Sequence, residues 1–314
     1  MLDNFLENGK FFKLVCGAGN EDEEYVKRLV YVYAKAGCRV FDISARISIL
    51  ETAKSGAALA NVEDAHYCVS VGIKGDTHIA KAEISNSYCT KCGNCARTCP
   101  NNAIYFPNII DNKKCIGCGS CIKKCPTGAI KMYEKDVNVK EILPKMIEQG
   151  VEILELHIMG NDDKDLEYKW SVINECNPKF ASICVDRSKM GNFELLEKIK
   201  SMIKERTSYT TIIQADGIPM SGSEDDFKTT LQAVAMGEII QNEKLPVYIV
   251  LSGGTNSKTA ELCRLCSINS NGVAIGSYAR KIVSKYINDK NFWNDENLQK
   301  IAIEKAKELC NTIL

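Results

Sequence analysis

Eight short apolar runs recur along the chain: Lys13–Gly17, Arg39–Ser44, His66–Ile73, Val151–Met159, Phe180–Val185, Thr210–Ala215, Pro246–Ser252 and Gly272–Ser277. Runs such as KLVCG, VEILELHIM and PVYIVLS are nearly continuous rather than alternating. That is the pattern of parallel strands covered on both faces. Between the runs, helical spacing of apolar residues predicts helices over Glu21–Ala36, Val139–Gln149, Phe193–Lys204, Asp226–Gln241 and Ser257–Leu265, and a polar helix near Glu296–Asn311 closes the chain. Strands alternating with helices predict an α/β protein built on a parallel sheet.

Segment 84–135 breaks this pattern. It is dense in Cys, Gly, Pro and Asn, and it carries eight basic residues against two acidic ones. Without its 52 residues, 262 of the 314 remain, close to the ~250 typical of an eightfold barrel. An open doubly wound sheet is the alternative, but eight units without a Gly-rich dinucleotide turn after the first strand favour closure. The expected fold is a TIM-like (β/α)8 barrel formed by residues 1–83 and 136–314, with 84–135 as an inserted α+β ferredoxin-like domain. The insert follows the third strand and is therefore a βα loop. In a barrel all such loops gather at the C-terminal face, where active sites form.

The insert holds two identical spacings. Cys89, Cys92, Cys95 and Cys99 precede Pro100, and Cys115, Cys118, Cys121 and Cys125 precede Pro126, each as C-x2-C-x2-C-x3-C-P. Three thiolates at this spacing wrap one cubic iron–sulfur cluster, and the fourth serves the other cluster. One [4Fe–4S] cluster is thus expected on Cys89, Cys92, Cys95 and Cys125, the second on Cys115, Cys118, Cys121 and Cys99. A zinc site would need four ligands and no second copy of the run. Fully thiolate-ligated clusters exchange electrons one at a time, so electron transfer or redox sensing is the implied role, with a redox partner protein as donor or acceptor. The basic residues of the insert either offset the negative clusters or face an acidic partner.

Charge and hydropathy narrow the other possibilities. Lys plus Arg equals Asp plus Glu at 40 each, which leaves no overall field for a nucleic acid. No apolar run reaches the ~18 residues of a membrane span. The opening MLDNFLENGKFFK lacks the basic-then-apolar pattern of a secretory signal, so the expected location is the cytoplasm.

Outside the insert, QADGIPMSG at 214–222 with Thr229-Thr230, SGGTN at 252–256, and GSYAR at 276–280 stand out, as do KLVCGA at 13–18 and DTHIAKAE at 76–83. On these segments the chain resembles the light-dependent period (LdpA) family, iron–sulfur proteins named for a role in a bacterial circadian clock. The resemblance implies a redox-sensing or electron-transfer protein. The family's first cysteine run is less regular than the complete one here.

The glycines after the last two strands suggest a ligand site. Gly253 and Gly254, followed by Thr255 and Asn256, and Gly276 with Ser277 match the place where such barrels cradle phosphate. A plain tight turn is the alternative. The cradle reading makes the chain an oxidoreductase in which the clusters feed FMN or another phosphate-bearing small molecule. Catalytic candidates are Asp216, His157 and the pair His78 and Lys81. Cys16 and Cys184, at strand ends, are candidate mouth thiols. Cys263 and Cys266 read as helix packing, and His66 as structural.

Overall fold

The computed structural model describes residues 2–17, 19–76, 79–106, 109–160, 162–186, 188, 190–217 and 224–313. His78 and most of the Gly/Pro turn after Asp216 lie outside these residues. The strands are β1 (Phe11–Val15), β2 (Val40–Ser44), β3 (His66–Gly72), β4 (Ala80–Ile84), β5 (Ile104–Tyr105), β6 (Ile109–Ile110), β7 (Ile130–Glu134), β8 (Ile153–His157), β9 (Phe180–Val185), β10 (Thr211–Asp216), β11 (Tyr248–Ser252) and β12 (Gly272–Ile275). The helices are α1 (Leu2–Glu7), α2 (Glu23–Lys35), α3 (Ile47–Leu59), α4 (Asn94–Thr98), α5 (Ser120–Lys123), α6 (Val139–Glu148), α7 (Asp163–Glu175), α8 (Asn192–Ile203), α9 (Phe227–Asn242), α10 (Thr259–Leu265), α11 (Ser277–Ile287) and α12 (Glu296–Cys310).

Eight strands close into a barrel in the order β1-β12-β11-β10-β9-β8-β3-β2, and every neighbouring pair is parallel. Each contains or overlaps one of the apolar runs. Helices α2, α7, α9 and α12 start on Asp22, Asp162, Asp226 and Asp295, whose carboxylates accept amide hydrogens of the first turn. Helices α3, α7 and α11 had no counterpart among the stretches named from periodicity. The last strand is shorter than its apolar run suggests: β12 stops at Ile275, and Ser277 opens α11. Among the described residues no helix is long and apolar enough to cross a membrane.

The barrel interior is layered. At its N-terminal end, Phe11, Val40, Cys68, Ile153, Phe180, Ile212, Tyr248, Val250 and Ala274 pack together, and Leu2 and Leu6 of α1 plug them from below. Two residues further along, the inward positions become polar: Lys13, Asp42, Ser70, Glu155, Ser182 and Gln214, all buried. The outer surface of the strands packs on the helices through a continuous apolar layer.

After Gly72 the chain leaves the barrel and returns in α6. The excursion is based on an antiparallel pair, with Ala80 opposite Glu134 and Ile84 opposite Ile130. Its small core joins Ala82, Ala103, Ile104 and Ile130 to Cys115 and Cys121. Glu21, just after β1, ties it to the barrel. Its amide donates to Lys113 O at 2.8 Å, and its carboxylate meets Lys81, Lys135 and Arg46 at 3.3, 2.9 and 3.0 Å.

Candidate functional site

The two cysteine runs have the same backbone plan. Gly93 and Gly119, both with positive φ, open α4 and α5. Ala103 N donates to Cys99 Sγ at 3.2 Å, and Ala129 N to Cys125 Sγ at 3.3 Å, four residues on in each copy. Such N–H···S contacts are among the levers that set cluster potential. Cys99, Cys115, Cys118 and Cys121 line one cavity, closed by Ala82, Ala103, Ile104, Ile116 and Met132. Cys99 therefore stands with the second run and not with its own. Eight thiols in two repeats, amides aimed at sulfur and apolar walls suit iron–sulfur clusters.

A second cavity, open to solvent, occupies the C-terminal mouth of the barrel. Gly253, Gly254, Thr255, Gly276 and Ser277 line it, together with Gly17, Asp42, His157, Gln214, Asp216, Ser252 and Arg280. The cradle glycines thus converge on the same end of the barrel as the insert. Ile116, between Cys115 and Cys118, faces both cavities.

Gly253 and Gly254 have φ of +68° and +79°. A Cβ on Gly253 would lie 1.6 Å from Asp216 Oδ1, and one on Gly254 would lie 2.2 Å from Thr229 O. The loop is therefore pressed against the end of β10 and the start of α9, where side chains do not fit.

Asn256 does not join the cradle. It is fully buried, and its Nδ2 donates to Glu224 O at 3.0 Å and Asp226 O at 2.8 Å, bracing the loop before α9. Nor do Thr255 and Asn256 start the next helix, since α10 begins at Thr259. Thr255 lines the cavity, but its hydroxyl donates to Ala274 O at 2.6 Å.

Asp216 ends β10 at the cavity, and His157 ends β8 there, with Nε2 3.3 Å from Glu155 Oε1. Lys81 lies elsewhere. Its Nζ is buried beneath the insert, donating to Gly19 O, Asn112 O and Cys115 O at 2.5, 2.8 and 2.7 Å. Those bonds make it a clasp between insert and barrel. Cys184 lies just below the mouth, 3.6 Å from Asp216 Oδ2 and 3.2 Å from Gln214 Nε2. Burial first, then the Asp216 and Glu155 carboxylates, push its thiol well up, so it stays protonated. Cys16 is buried and likewise pushed up, chiefly by burial.

Beneath the mouth lies a polar belt that the apolar runs had concealed. Lys13 Nζ bonds Glu155 Oε2 at 2.6 Å and lies 3.6 Å from Asp42 Oδ2. Ser70 donates to Asp42 at 2.5 Å, Ser182 to Glu155 at 2.7 Å, and Gln214 Nε2 to Glu155 Oε1 at 3.0 Å. Burial opposes the Glu155 charge, but Lys13 and His157 beside it hold the carboxyl below the usual range. Asp42 is raised, first by burial, and Glu155 adds to this against the pull of Lys13. The trace in the sequence was one polar residue inside six of the eight apolar strands, at the centre in FFKLV, VFDIS and ILELH.

Residues 145–312 match the family described as Light dependent period A C-terminal domain, more than half of the chain. The chain belongs to this family. Residues 82–105 and 108–131 each match the 4Fe-4S binding domain, which makes this family member an iron–sulfur protein. It is similar to Light dependent period A of Synechococcus elongatus, with 29% identity over 261 residues, covering 81% of this chain and 73% of that protein. Two structures of tryptophan synthase from Mycobacterium tuberculosis superpose with TM-scores of 0.50 at 9% and 8% identity. They cover 99% of this chain and 96% and 97% of theirs, a likeness of fold alone.

Proposed function

We propose that this protein carries two [4Fe–4S] clusters and transfers electrons between a partner protein and the mouth of its barrel. Cys115, Cys118, Cys121 and Cys99 would hold the cluster next to the barrel, and Cys89, Cys92, Cys95 and Cys125 the other. When bound, the clusters supply one-electron transfer. The observation that carries the reading is the position of Ile116, which faces both the cavity of the second thiol quartet and the barrel mouth. Lys81 and Glu21 hold this junction rigid, because Lys81 bonds Cys115 O and Gly19 O together. Redox sensing would use the same ligands without an acceptor in the mouth.

The polar mouth favours a second, more specific reading, in which an oxidoreductase reduces or oxidises a phosphate-bearing ligand held by the 253–254 and 276–277 loops. The partner protein would meet the insert, where exposed Tyr88, Phe106 and Ile109 stand among basic residues.

Anaerobic reconstitution followed by iron and sulfide analysis tests the cluster reading. It should give about eight of each per chain, with paramagnetic signals from two centres on reduction. A reproducible value near four irons overturns it.

A further inference from the structure

The rim of the mouth is built to receive an anion. Helix α11 is 11 residues long and begins at Ser277 without any side-chain cap. Its first N–H groups have no acceptor within the helix, and its dipole places partial positive charge at the cavity. Arg280, one turn on, is 8% exposed. Its Nη1 donates to Val15 O at 2.8 Å, and its Nη2 lies 3.5 Å from Ser277 Oγ. Among the described residues no carboxylate pairs with it, so a buried cation faces the cavity beside the open helix end. A buried charge left without a counter-ion is costly, which a bound anion would relieve.

The floor asks for the opposite. Gln214 is 2% exposed and lines the same cavity. Its Nε2 donates to Glu155, a carboxylate that has no proton to give back, and this fixes which way the amide points. Its Oε1 is left buried without a partner. Buried acceptors in that state are rare, and a donor on a ligand would satisfy this one. Asp42 and Asp216 line the floor as well and repel an anion from that end. The described apolar side chains of the lining are Val15 and Ile116, and none of the described lining residues is Phe, Tyr or Trp.

We infer that the mouth binds a small phosphomonoester bearing a hydroxyl or amino group, with its phosphate on Ser277, Arg280 and the 253–254 loop and its donor on Gln214 Oε1. This rests on the ligand reading of the mouth and narrows it to a compact polar compound in place of a flavin.

Calorimetric titration of the full-length, cluster-loaded protein with inorganic phosphate, ribose 5-phosphate and FMN tests it. Ribose 5-phosphate should bind at least tenfold tighter than inorganic phosphate and tighter than FMN. Ser277→Asp puts a like charge at the helix N-terminus, where Asp favours the helix itself. It should weaken both inorganic phosphate and ribose 5-phosphate at least tenfold without lowering Tm. Gln214→Leu should remove the advantage of ribose 5-phosphate and leave inorganic phosphate within twofold. Equal binding of the two phosphates, tighter binding of FMN, no effect of Ser277→Asp, or no phosphate binding at all overturns the inference. Iron per chain is read on the same samples. A failed cluster reading shows as missing iron, and a failed ligand reading as missing phosphate binding with iron intact.

Discussion

Replacing Lys13 by Met tests the polar belt of the barrel. Methionine fills nearly the same space, so the change removes charge with little change in volume. At 2.6 Å from Glu155 and an effective dielectric constant of ~20, the attraction is roughly 6 kcal/mol, and at 3.6 Å from Asp42 roughly 5 kcal/mol. The cost of burying the ammonium cancels much of this, and breaking a buried pair on one side typically costs about 3–5 kcal/mol. At roughly 2–4 °C per kcal/mol for a large domain, Tm should fall by about 6–20 °C.

The loss should depend on pH with a definite sign. In the native chain Glu155 is held below its ordinary 4.5, so its contribution is present above that pH and lost as acid drives it below the folded value. Without Lys13, burial acts on Glu155 opposed by His157 and by the Ser182 and Gln214 hydrogen bonds but by no full positive partner, so its carboxyl rises and charging it destabilises the fold as pH increases. The deficit relative to the native chain should therefore be largest near pH 8 and shrink toward pH 5. Thermal melts give the fall in Tm, and urea denaturation followed by far-ultraviolet circular dichroism under anaerobic conditions gives the deficit at each pH. The double variant Lys13→Met with Glu155→Gln should recover part of the loss. A deficit below ~1 kcal/mol, or one equal at pH 5 and pH 8, would refute the reasoning, because breaking such a pair leaves a charge buried.

Cys99→Ala should disturb the paramagnetic signal of the Cys115–Cys118–Cys121 centre and Cys125→Ala that of the other; each variant disturbing only the centre of its own run would show that the ligands do not interleave. Gly253→Ala should cost at least ~1–2 kcal/mol from its left-handed φ, plus the contact with Asp216, while leaving iron content unchanged; urea midpoints and iron assays measure this. Lys81→Met removes three carbonyl partners and Glu21 at once, so hydrogen exchange should speed up around 79–84 and 112–116 but not in the far strands β9–β11, and uniform exchange would show that the clasp does not hold the insert.

Local chemistry was legible wherever it is written along the chain. The x2 cysteine spacings are set by the reach of three neighbouring thiols around one cube, and the x3 step carries the fourth toward the other, so both runs could be read directly. The strands were equally plain, because a parallel strand buried on both faces must be apolar almost throughout. The glycines at 253 and 254 were visible too, but their reason was not. Only the folded chain shows Asp216 and the Thr229 carbonyl pressed against them. Lys81 looked like a candidate for chemistry beside His78, until the fold placed three carbonyls from separate segments around its ammonium.

The belt is the clearest division between the two levels. In FFKLV, VFDIS and ILELH a single charge sits among apolar residues, and nothing local says whether it turns to solvent, to a helix or into the barrel. Closure decides it: Lys13 and Glu155 are 142 residues apart, and they meet because the eight strands form one ring. The sequence by itself determined the strands, the thiol runs and the family, since each depends on spacing within a few turns of chain. The tertiary structure alone decided the buried ion pair, the unpartnered Gln214 oxygen and the shared wall at Ile116, because ring closure creates both the contacts and the low dielectric that gives them their strength.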